Sequence, residues 1–158
     1  MKIRKLKKGD SLKELVDLSH IMIKDYEVHH KEFFTLKKRF NKKKLEPHFH
    51  KSLESKDMQT FVAEEKGKII GFITVEVRER LSLYEVSRSG FISSLIVSPE
   101  HRRKGIAEKL LKEAIKWLKK KKIKYFDLDT AVKNTGALEF YKKHNIHPIK
   151  YKLLGEVK

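Results

Sequence analysis

The chain has 158 residues, 38 Lys+Arg against 21 Asp+Glu, and a formal net charge of +17. That length suits one domain, residues 1–158, burying roughly two-thirds of its unfolded surface, and hydrophobic residues at 39% can build the core. The absence of cysteine excludes a disulfide scaffold, a thiol nucleophile and a zinc–thiolate site. The basic start leads into no apolar run, so neither a signal peptide nor a membrane span is expected, and the reading is a soluble, cytoplasmic domain with no membrane partner.

Residues 3–6 read as an edge strand stopped by Gly9-Asp10. Ser11 and Glu14 have capping-box spacing. Leu12, Leu15, Val16, Ser19, Met22, Ile23 and Tyr26 follow at helical intervals and predict a helix ending near Val28. Phe33, Phe34, Leu36, Phe40, Leu45, Phe49 and Leu53 suggest broken helical pieces interrupted at Pro47. Residues 60–65 and 69–77, around Lys66-Gly67-Lys68, read as a β-hairpin, and residues 91–97 as a strand stopped by Ser98-Pro99. Ile106, Ala107, Leu110, Leu111, Ala114 and Leu118 share one helical face, closed by Lys119 to Lys122 where the helix dipole favours cations. Residues 125–131 predict a strand, 134–144 a short helix and 146–154 a last strand. Strands that precede one helix and then alternate with helices predict a mixed α/β domain on one twisted sheet.

Chemistry concentrates where the strand ending Leu95-Ile96-Val97 meets the loop Ser98-Pro99-Glu100-His101-Arg102-Arg103-Lys104-Gly105 and the helix that starts Ile106-Ala107-Glu108. A helix N-terminus offers unpaired N–H groups and a partial positive charge, so it is suited to an anion. Gly105 permits close approach of a phosphate, Ala107 keeps the next turn small, and Arg102, Arg103 and Lys104 add attraction. A diphosphate-like group is expected here.

The run Arg102-Arg103-Lys104-Gly105-Ile106-Ala107 resembles the Arg/Gln-x-x-Gly-x-Gly/Ala signature of the GCN5-related N-acetyltransferase (GNAT) superfamily. About thirty residues later Asn134-Thr135-Gly136-Ala137-Leu138-Glu139-Phe140-Tyr141 resembles its second signature, Asn-x-x-Ala-x-x-Phe-Tyr. The resemblance covers about residues 60–154. It implies a three-layer α/β fold whose central sheet is mixed, mostly antiparallel and twisted, with two splayed parallel strands and helices on both faces. Acetyl-CoA would lie in the splay as cosubstrate, and no metal is implied. Leu95, Ile96 and Val97 would pair with its pantetheine arm. Backbone N–H groups of Arg103, Lys104, Gly105, Ile106, Ala107 and Glu108 would wrap its pyrophosphate with the Arg102 side chain nearby, and Asn134 would hydrogen-bond near the pantetheine. The family's usual Gly-Phe after the tyrosine helix is Asn145-Ile146 here.

Amine acetylation needs a neutral nucleophile, stabilisation of negative charge on oxygen, and a proton for the departing thiolate. The resemblance puts Tyr141 where the family commonly keeps the tyrosine that protonates the sulfur. Asp129, five residues before Asn134, stands where related amino-terminal acetyltransferases are similar in carrying a Glu, and it is the candidate base. Glu76, Glu85 and His30 are alternatives chosen by residue type. His48 and His50 could put two imidazoles on one face of a strand, but no third metal ligand is evident.

The function expected is acetyl transfer from acetyl-CoA to a primary amine, by direct attack, on a protein or small-molecule acceptor. The charge and the clusters Lys37-Lys38-Arg39, Lys42-Lys43-Lys44 and Lys119 to Lys122 motivate the alternative of a nucleic-acid or ribosome-binding module that keeps the fold. A homodimer is compatible with either.

Overall fold

In the computed structural model, which describes residues 1–157, the sheet starts from one turn. Lys66 and Gly67 both take positive φ, 49° and 78°, the mirror-image two-residue turn whose twist matches its flanking strands. It joins β2 (Met58–Glu65) to β3 (Lys68–Glu79). β1 (Lys2–Lys5) pairs antiparallel with β2, and β4 (Arg88–Val97) pairs antiparallel with β3. The three-residue β5 (Phe126–Leu128) pairs parallel with β4, giving the spatial order β1-β2-β3-β4-β5. Arg4 pins the β1 edge, with Nη1 2.6 Å from Asp10 and Nε donating to Glu64 at 2.7 Å.

Strand alternation sends apolar side chains to both faces of this sheet. Phe61, Ala63, Ile73, Val75, Ile92 and Val97 meet Ile106, Leu110, Leu111, Ala114, Trp117 and Leu118 of α4 (Ile106–Lys120). On the opposite face Val62, Phe72 and Ile96 pack with Leu15, Val16 and Leu18 of α1 (Lys13–Asp25) and Phe49 of α3 (Glu46–Glu54). The short α2 (Lys31–Phe34) lies between α1 and α3 in sequence, and α5 (Thr135–Lys143) adds Phe140 to the α4 side. The result is the three-layer mixed α/β fold with helices on both faces.

A buried polar trio sits under α3: Thr60 Oγ1 lies 2.9 Å from both Ser52 Oγ and Thr74 Oγ1, so each hydroxyl has a partner. Beside it Phe72 is fully buried and meets Phe49 edge-on at 5.3 Å. Phe72→Ala is expected to cost about 3–5 kcal/mol through lost transfer energy and an unfilled cavity. Urea unfolding followed by circular dichroism measures it, and a loss under about 1 kcal/mol contradicts this packing.

Four local expectations change. The capping box does not form: Leu12 is the N-cap without a side-chain bond, and Ser11 Oγ only accepts from Lys13 N at 3.3 Å. Pro47 opens α3 in its first turn, where proline's missing donor costs nothing, rather than interrupting a helix. The strand read over residues 125–131 is three residues long, because only those pair with β4. The last strand expected over residues 146–154 does not form, despite the alternation of Ile149, Tyr151 and Leu153, all of them exposed. A period-two pattern specifies a face and still requires a hydrogen-bonding edge to lie against.

Candidate functional site

The site begins where two parallel strands part. β5 pairs with β4 at Gly90–Phe126, Phe91–Asp127 and Ile92–Leu128, then stops, while β4 stays on β3 as far as Val97–Gly71. On the β3 side Val75 faces Ile92 and Thr74 faces Ser94, so Ser93 is an extra residue, a β-bulge. The bulge reverses which residues look toward β5. Before it, Gly90 N donates to Tyr125 O at 2.9 Å; beyond it, Ser98 N donates to Ile70 O at 2.9 Å on the β3 side. By alternation Ser94 and Ile96 direct their peptide groups to β3, and Leu95 and Val97 direct theirs into the gap. Of the three residues expected to serve a ligand, Ile96 is therefore spent on the sheet, and its side chain is core. The Val97 carbonyl accepts from Arg102 Nε at 3.1 Å.

Below the gap the chain makes a single 3-10 turn, Pro99–His101, and enters α4 through two left-handed residues, Arg103 (φ 62°) and Gly105 (φ 72°). Left-handed residues alternating with ordinary ones turn successive N–H groups into one concave fan, which continues into the unpaired first turn of α4. A Cβ at Gly105 would meet nothing within 4 Å, so the space over the fan is clear. The side chains around it are exposed and cationic, though not all free: Arg102 also lies 3.8 Å from Asp25, and Lys104 Nζ donates to Glu100 O at 3.2 Å. Glu108 is the one carboxylate in this turn. Lys112 holds it at 2.6 Å and draws its pKa down, so its charge is neutralised along the helix, away from the fan.

Beyond the end of β5 three polar side chains feel one another electrostatically. Tyr141 on α5 is largely buried, and burial first, then Tyr26, pushes its pKa up to about 12. Tyr26, at the end of α1, is itself raised by burial first and then by the charge of Asp129. Asp129 is exposed one residue beyond β5. Asn134 caps α5, its Oδ1 accepting from Ala137 N at 3.2 Å, which leaves the amide nitrogen as a donor. Tyr26 was legible only as an apolar helical position; a tyrosine closing a helix, with a ring to bury and a polar tip, is the signal that marks it.

The alternative candidates lie elsewhere. Glu76 pairs with Arg78, Glu85 lies in the exposed loop of residues 80–87, and His30 Nδ1 accepts from Phe33 N to cap α2. His48 and His50 lie on α3, where a two-residue step turns roughly 200° about the axis, so they cannot share a face as they would on a strand. Among the described residues no three His, Cys, Asp or Glu side chains gather as a metal site, and no helix is long and apolar enough to cross a membrane.

The family model for the acetyltransferase (GNAT) family matches residues 17–146. An uncharacterised N-acetyltransferase of Methanocaldococcus jannaschii is 33% identical over 105 residues, 66% of this chain and 46% of that protein. The N-alpha-acetyltransferase MAK3 of Arabidopsis thaliana is 32% identical over 81 residues, 51% of this chain and 40% of that protein. The aligned part is therefore less than half the length of either relative. Among solved structures, the BH1408 protein of Bacillus halodurans superposes with a TM-score of 0.86 at 18% identity, covering 100% of both chains. The aminoglycoside 6'-N-acetyltransferase AAC(6')-IG of Acinetobacter haemolyticus gives 0.74 at 21% identity over 100% of this chain and 99% of its own. At such identities these two structures speak to the fold alone.

Proposed function

The chain belongs to the acetyltransferase (GNAT) family, and on that premise we propose that it moves the acetyl group of acetyl-CoA to a primary amine by direct attack. The observation that carries the proposal is the pairing of an unzipped strand end with a clear, left-handed fan of N–H groups at the start of α4. One polar strip and one anion cradle in line fit a long amide-bearing arm with a diphosphate. When bound, acetyl-CoA supplies an activated thioester.

The chain's own residues would do the rest. N–H groups of Arg103, Lys104, Gly105, Ile106, Ala107 and Glu108 hold the diphosphate, and Leu95 and Val97 align the arm through their gap-facing peptide groups. A donor of this kind also steadies the negative charge that grows on the acetyl oxygen. The amide nitrogen of Asn134 is placed to donate to the same arm. As the amine nitrogen bonds to the acetyl carbon and the carbon–sulfur bond breaks, Asp129 accepts the amine proton through water. Tyr141 gives its phenolic proton to the sulfur, and burial keeps that proton on the oxygen until then.

Calorimetry with coenzyme A, followed by mass spectrometry of a panel of amines with acetyl-CoA, tests the reading. Binding in the micromolar range and a 1:1 match of free thiol to acetylated amine are expected. No heat with coenzyme A would remove it.

A further inference from the structure

The segment after Tyr26 does not wander. Phe34 packs on Tyr26 at 5.3 Å, Glu27 Oε1 accepts from Leu36 N at 3.1 Å, Phe40 stacks on His20 at 6.1 Å, and Lys42 reaches Asp17 at 3.2 Å. It is a strap that doubles back along α1, starting beside Tyr141 and Asp129. Between Glu32 and Glu46 it carries Lys37, Lys38, Arg39, Lys42, Lys43 and Lys44 and no acid. All six are exposed, and Lys42 is the only one with an ion pair among the described residues. Phe34, Phe40 and Leu45 turn inward, so from Lys37 to Lys44 the outward face of the strap is a run of cations of which, among the described residues, Lys42 alone has an ion partner.

The strap's distance from the reacting centre follows from the helix. Tyr26 and His20 are six residues apart on α1, roughly 9 Å along its axis, and Lys37 to Arg39 fall between those two levels. An extended peptide advances roughly 3.3–3.6 Å per residue. Lys42 meets Asp17, nine residues from Tyr26 and roughly 13–14 Å along the axis, so with its amine at Asp129 and Tyr141 the residues that reach the strap are about the third to the fifth. We propose, on the acetyl-transfer reading above, that the strap from Lys37 to Lys44 selects the α-amine of a peptide whose third and following residues are acidic.

Chemistry favours that acceptor over two others. A polycationic amine meets like charge at the strap. A nucleic acid matches the charge, but its base amines are conjugated with their rings and are poor nucleophiles, and Phe40 is turned onto His20 instead of offering a stacking surface. An α-amine, with a pKa near 8 against about 10.4 for lysine, is also the amine most readily neutral at the pH of cells.

The test uses the full chain, acetyl-CoA and two peptides identical except for Asp/Glu or Asn/Gln at positions three to six, with product measured by mass spectrometry. The acidic peptide is expected to have a kcat/KM roughly tenfold higher, carried by KM, as several exposed charge pairs supply. The advantage should shrink as salt rises to about 0.5 M. Lys37→Glu/Lys38→Glu/Arg39→Glu should bring the ratio of the two peptides close to one, while coenzyme A affinity by calorimetry stays as it was and shows the variant folded. Equal turnover of both peptides, a preference that survives the charge reversal, or faster turnover of a lysine-rich peptide overturns the proposal. If neither peptide is acetylated while another amine is, the proposal falls and the acetyl-transfer reading stands; if no amine at all is acetylated, both fall.

Discussion

Tyr141→Phe is expected to lower kcat by about a hundredfold to a thousandfold, within what one well-placed general acid contributes, with KM for acetyl-CoA changed by less than about threefold. The substitution removes one oxygen and keeps the ring, and the neighbouring Phe140 keeps its place against the α4 core. The proton is held securely. A pKa pushed up to about 12 leaves the phenol neutral throughout the working range, so in the proposed mechanism it would be available as sulfur departs. The same shift has a stability signature with a definite sign. The folded pKa lies above the unfolded value of about 10, so stability is intact below about 10 and falls as pH rises from there toward about 12. Stopped-flow or thiol-trapping assays of the variant measure the rate, and a kcat drop below about threefold would take the acid role away from Tyr141.

Gly105→Glu is expected to weaken coenzyme A binding by a hundredfold or more, whereas Gly105→Ala should weaken it by only about threefold to tenfold. Both variants pay the strain of a left-handed residue with a Cβ, about 1–2 kcal/mol, because Gly105 sits at φ 72°. Neither meets a steric obstacle in the free protein, since nothing lies within 4 Å of that Cβ. The glutamate would add a negative charge to the space assigned to the diphosphate in the proposed function. Acetyl-pantetheine, a donor without the diphosphate, separates this from misfolding: its turnover, weak in the parent protein, should be the same in both variants. Calorimetry that finds near-parent affinity in Gly105→Glu would show that the fan at α4 is not where the diphosphate binds.

Sequence reading reached the parts whose physics is local. The Lys66-Gly67 turn and the apolar stripe of α4 follow from spacing and residue type, and both lie where that spacing put them, whereas the left-handed conformation of Gly105 is seen only in the folded chain. Lys119 and Lys120 do fill the last turn of α4. What stayed hidden depends on partners. Ser93 carries no glycine or proline to announce a bulge; the extra residue is visible only against the register of β3. Ser11 and Glu14 have the right spacing for a cap, but the helix starts one residue later than that motif needs. Tyr26 and Asp129 are about a hundred residues apart in sequence, and their meeting is a property of the folded chain. The strap over residues 37–44 was legible as charge alone, and its place along α1 came only from the contacts of Phe34, Phe40 and Lys42.

The odd residue at Ser93 works like a half-step in a zipper. A β4 shorter by that one residue would keep the same phase along its whole length, and its free edge could go on meshing with the chain beyond Leu128. The protein would then have a longer unbroken sheet and no slot, so the opening between β4 and β5 rests on a mismatch of a single peptide unit.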